Sequence, residues 1–101
     1  MDSHDLAEQA AGLASRVNNL AVQTAGQNSR QLLAQQDNLT KLAMAAIVKD
    51  LDAGQDDYQN AVTLLTKAIA QVDTALQKAS EVTNAINLVA QAITAVGKVV
   101  V

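Results

Sequence analysis

The second half of the chain carries an apolar seam that only a helix presents on one side. Tyr58, Val62, Leu65, Ile69, Val72, Leu76 and Ala79 recur at alternating steps of four and three. On a strand those positions scatter over both faces. On a helix they form one stripe, at the heptad spacing of helices packed at a shallow angle. Continued strictly, the seam passes through Thr83, Ile86, Ala90, Ile93, Gly97 and Val100, and a second apolar line opens beside it at Val82, Val89 and Val96. A polar line runs the same length: Gln59, Thr63, Thr66, Ala70, Asp73, Gln77, Ser80, Asn84, Asn87, Gln91, Thr94 and Lys98, with Ala70 its one apolar member. The two stripes predict one helix from about Asp57 towards the C-terminus.

The first half is less regular. Leu6, Ala10, Leu13, Val17, Leu20 and Thr24 form a seam, "TAGQNSRQ" interrupts it, and the pattern resumes as Leu32, Gln35, Leu39, Leu42 and Ala46, displaced by about one residue in heptad phase. Gly26 costs about 1 kcal/mol against Ala inside a helix. Asn28 followed by Gln31 offers a cap for a fresh helix. A break near residues 26–29 is therefore the alternative to the expected continuous arm.

Between the halves lies "KDLDAGQDDYQ". Gly54 is the natural residue to end a helix in a left-handed conformation. Asp56 is the expected N-cap, with Gln59 as its capping-box partner, and Asp56 and Asp57 suit the positive end of a helix dipole. The chain has 101 residues, no Pro, four Gly and 1% aromatic side chains, so little punctuates it as a loop-rich fold. The expected architecture is all-α: a long antiparallel helical hairpin in a single domain, 1–101. Arm one covers about 3–53, the turn about 53–56 and arm two about 57–100. Each arm would be about 65–75 Å long. Folding at Gly54 would set Leu42 near Leu65, Leu39 near Ile69, Leu20 near Val89, and Leu13 near Val96.

A lone hairpin would leave much of the C-terminal arm uncovered. Ala85, Leu88, Ala92 and Val99 lie off the seam that faces arm one, and a helix apolar on most sides is normally covered on several. The expected function is a non-enzymatic interaction or assembly module. It would form a homo-oligomer or bind another helical protein through Val82, Ile86, Leu88, Val89, Ala92, Ile93, Val96, Val99 and Val100. A dimer of hairpins, giving a four-helix or larger bundle, is the simplest such assembly. The alternative is a membrane-active helical protein, a conditional pore-former or lipid-surface coat, that inserts or docks residues 82–101. That segment has one charge, Lys98, placed to snorkel, but Asn84, Asn87 and Gln91 are costly in hydrocarbon.

Other chemistry finds little footing. A net charge of −3 with scattered basic residues gives nucleic-acid binding no electrostatic drive. No Cys is present, and His4 is the sole histidine, so neither a zinc site nor a nucleophile–base pair can be assembled. The aspartates around Gly54 do not follow a calcium-loop pattern. No catalytic residue, metal or cofactor is expected, and Tyr58 is read as packing near the turn. Gln35, Thr24 and Thr83 are candidates for polar groups that fix bundle register. The first residues lack a signal peptide's basic and apolar regions, which makes the cytoplasm the default location and leaves non-classical secretion open.

Overall fold

The computed structural model describes residues 3–49, 51, 52 and 54–100, the side chains of Ser3 and His4 excepted. Four helices pack as a compact bundle within the one chain: α1 (Ser3–Gln23), α2 (Gly26–Val48), α3 (Asp56–Gln77) and α4 (Val82–Val100). A 3-10 turn, Ala79–Glu81, leads into α4. The bundle measures 38 × 19 × 16 Å. Both expected arms are thus broken near their middles, and the long hairpin is replaced by two short ones.

The helices occupy the corners of a square. α1 neighbours α2 and α3, and α4 neighbours α3 and α2, so α1 and α4 share one diagonal and α2 and α3 the other. Thr66 Oγ1 lies 3.5 Å from Gln9 Oε1, and Arg16 Nε lies 3.2 Å from Asp73 Oδ1. From Gln9 to Arg16 and from Thr66 to Asp73 the two helices advance together, so α1 and α3 are parallel. The facing pairs expected between arm one and arm two do not form as helix neighbours, because α1 packs beside α3 rather than α4, and α4 beside α2.

The first break is built from its own sequence. Gly26 takes φ +69°, a conformation that L side chains resist. The α1 carbonyls that lose helical partners find others. Thr24 donates from both its N–H and its Oγ1 to the Leu20 and Ala21 carbonyls, and Ser29 Oγ donates to Ala21 O at 2.9 Å. Asn28 does not cap α2, whose N-cap is Ala25, without a side-chain bond.

The second break is slighter. Between Asp56 and Val100 only Lys78 stands outside a helical segment, at φ −133° and ψ 108°. Its N–H still donates to Thr74 O at 3.0 Å, and its carbonyl accepts from Glu81 N at 3.0 Å.

The turn between α2 and α3 differs in detail from expectation. The Gly54 N–H donates to Asp52 Oδ1 at 2.9 Å, and the Gln55 N–H donates to Asp52 O at 3.1 Å. Asp56 is the first residue of α3, and the N-cap is Gln55, which makes no side-chain cap bond, so the Asp56–Gln59 capping box is not formed. Asp56 and Asp57 do occupy the first turn, where the dipole favours them. Asp50 and Ala53 lie outside the described residues.

Leu6, Leu13, Val17, Leu20, Leu32, Leu39, Tyr58, Leu65, Val72, Val89 and Val96 are fully buried. On α3 the line Ala61, Ala68, Ala75 is buried ahead of the expected Val62, Ile69 and Leu76, which are half-buried. Each helix touches two neighbours, so the buried face is wider than a two-helix seam. Alanine at its centre lets the backbones approach closely.

Candidate interaction surface

The residues expected to form an interface on the C-terminal arm lie against the chain's own helices. Val82, Ile86, Val89, Ala92, Val96 and Val100 are buried. Leu88, Ile93 and Val99 are half-buried and packed against the same core. The cover that a hairpin could not give α4 comes from α3 on one side and α2 on the other. Gln35 Nε2 reaches across from α2 to donate to Ile86 O at 2.9 Å, while Gln35 Oε1 and Gln71 Nε2 are buried without a partner. The polar line from Gln59 to Lys98 is exposed at every position.

The exposed apolar side chains sit elsewhere. Among the described residues Val22, Leu33, Met44, Ile47 and Val48 are the large hydrophobic residues left in solvent, four of them on α2; Met44 is 63% exposed and Ile47 56%. Met44 and Ile47 edge an open groove of about 700 Å³ between α1 and α2. Ala7, Ala11 and Ala14 line its α1 side, and Gln36, Thr40 and Ala43 line α2 beside Met44 and Ile47. The three alanines on α1 help to make the depression, because each contributes no more than a methyl group to its wall. Glu8, Ser15 and Asn18 supply polar groups on the same side.

A signal for this surface was present in the sequence. Leu33, Met44, Ile47 and Val48 all fall off the seam Leu32, Gln35, Leu39, Leu42, Ala46. They are harder to see than the off-seam residues of the C-terminal arm, because the seam of the first arm is itself irregular.

Among the described residues no group of three or more His, Cys, Asp or Glu side chains is placed to hold a metal ion. No described helix is long and apolar enough to cross a membrane. The His4 side chain lies outside the described part. On the surface Arg16 pairs with Asp73 at 3.2 Å and Lys41 with Asp37 at 3.0 Å. No protein-family model matches the chain, and no curated protein or solved structure is significantly similar to it.

Proposed function

We propose that the protein is a non-enzymatic helical interaction module that docks an apolar helix of a partner protein in the groove between α1 and α2. The observation that carries this reading is the exposure of Met44 and Ile47 beside an alanine floor. Small residues on one wall admit a close helix backbone, and a flexible methionine on the other adapts to its side chains. From Ala7 to Asn18 the groove runs about 16 Å, the length of a three-turn helix.

The reading keeps the expected module and moves its surface from the C-terminal arm to the first hairpin. The same burial of α4 weighs against the membrane-active alternative, since insertion of residues 82–101 would strip α4 from two neighbouring helices. Titration with an amphipathic Leu/Ala helical peptide, followed by amide NMR, tests the proposal. Saturable shifts are expected at Ala11, Ala14, Met44 and Ile47, and Met44→Lys should remove them. Unsaturated or scattered shifts at millimolar peptide would sink the reading, and flotation with anionic liposomes would revive the alternative.

A further inference from the structure

The two breaks lie together at one end of the bundle. Leu20, Gln23 and Thr24 share a cleft with Leu76, Ala79 and Val82. They differ in what they do to heptad phase. Across the second break the phase is unchanged. Ala61, Ala68 and Ala75 on α3 are followed at steps of seven by Val82, Val89 and Val96 on α4, and all six are buried. The line Tyr58, Leu65, Val72 continues as Ile86, Ile93 and Val100, of which Ile86 and Val100 are buried and Ile93 half-buried. The exposed polar line passes through the break in register as well. The position between Val72 and Ile86 on the seam is Ala79, which is exposed in the compact bundle. Straightening Lys78 would therefore give one helix from Asp56 to Val100 with its apolar face already aligned. Straightening the first break would not: the α1 seam continued into α2 falls on Gln31, Ala34, Asn38 and Lys41, all exposed.

We propose that the chain exchanges α4 with a second copy of itself by straightening at Lys78. The resulting dimer pairs two long α3–α4 helices antiparallel. The register for this is already set. Asn60 and Leu64 share a cleft with Thr94 and Lys98, and Leu76 shares one with Val82, which centres the α3–α4 pairing on Ala79. A two-fold axis at Ala79 preserves each of those pairings between copies. Every α4 then enters the partner's bundle in the position it left, Gln35 meets the partner's carbonyl at the same place, and the two Ala79 methyl groups meet at the axis, where a small side chain permits close approach. Exchange of an element through a short hinge gives a dimer without a new interface beyond the hinge itself. This inference goes beyond the groove and does not depend on it.

The full chain held at millimolar concentration just below its melting temperature, then cooled and diluted, is the test. Light scattering is expected to find a dimer that persists on dilution, because separation requires α4 to leave a packed core. Its longest dimension by small-angle X-ray scattering should be roughly 65 Å or more, the length of the fused helix, against 38 Å for the compact bundle. Ala79→Pro should stay monomeric under the same treatment. Proline suits the first position of a helical turn, and Lys78 already holds the extended backbone favoured before proline. In the fused helix the ring would meet the Ala75 carbonyl. Ser80→Ala, which favours helix through the hinge, should raise the dimer fraction about two-fold or more. Met44→Asp should leave it unchanged, separating exchange from association through the groove. A wild-type chain that stays monomeric, a proline variant that dimerises as wild type does, or an alanine variant with no gain in dimer overturns the proposal.

Discussion

The break after α1 and the break after α3 sit side by side and are made in opposite ways. At the first, Gly26 adopts a left-handed conformation, Thr24 and Ser29 bond the freed carbonyls, and the apolar seam shifts phase, so that a continuous helix would turn its apolar line to solvent. At the second, one residue leaves helical geometry, no described side chain bonds the exposed α3 carbonyls, and the seam crosses in register. The first is specified by local residues. The second is specified by what α4 gains in the bundle, because nothing in "LQKASEV" forbids a helix.

The contrast can be broken most sharply by packing. Leu20, fully buried beside the first break, should lose about 2–5 kcal/mol on replacement by Ala. Leu76, half-buried at the second, should lose about half as much, since less area leaves water on folding. Urea denaturation of both variants measures the difference, and equal losses would mean that the two breaks are packed alike. Backbone geometry gives the next effect. Gly26→Ala should destabilise by about 1–2 kcal/mol through its positive φ, not through crowding, because a methyl group there meets no atom within 4 Å. A shift in melting temperature below one or two degrees would show that the left-handed turn is readily relaxed. The smallest effect concerns side-chain bonds. Ser29→Ala removes the bond to Ala21 O and should lower stability by about 0.5–1.5 kcal/mol. Asn84→Ala removes an exposed bond to Glu81 near the second break, and its effect should be about 0.5 kcal/mol or less. If the two losses come out in the reverse order, the first break is not held by its own residues.

Helix content, the outward polar line and the alternation of the α1 seam were legible because each depends on periodicity along a single element. Tyr58 packs near the turn, as its place at the head of the seam implied. The interruption at "TAGQNSRQ" is visible in the sequence, but one Gly costs little in a long helix, so a continuous arm remains the expectation from sequence. What tipped it is the set of bonds by Thr24 and Ser29, which read as ordinary polar residues in a string. The Lys78 break carried no warning, as heptad phase is conserved through it. The apolar excess on the C-terminal arm was a true signal with an unforeseen answer: two neighbouring helices of the same chain cover it. The groove beside Met44 and Ile47 was hidden because it depends on which face of α2 is left over after packing.

The sequence by itself determined that this chain is helical, that α3 and α4 share one solvent stripe, and that the C-terminal segment must be covered on more than one side. Period and side-chain volume settle those points within a few turns of helix. Tertiary structure alone decided where the arms fold back, which helices become neighbours and which apolar residues remain outside. Those outcomes depend on comparing whole arrangements of the chain. A long hairpin and a four-helix bundle use the same local stripes, and the bundle buries α4 between α2 and α3 without needing a second chain.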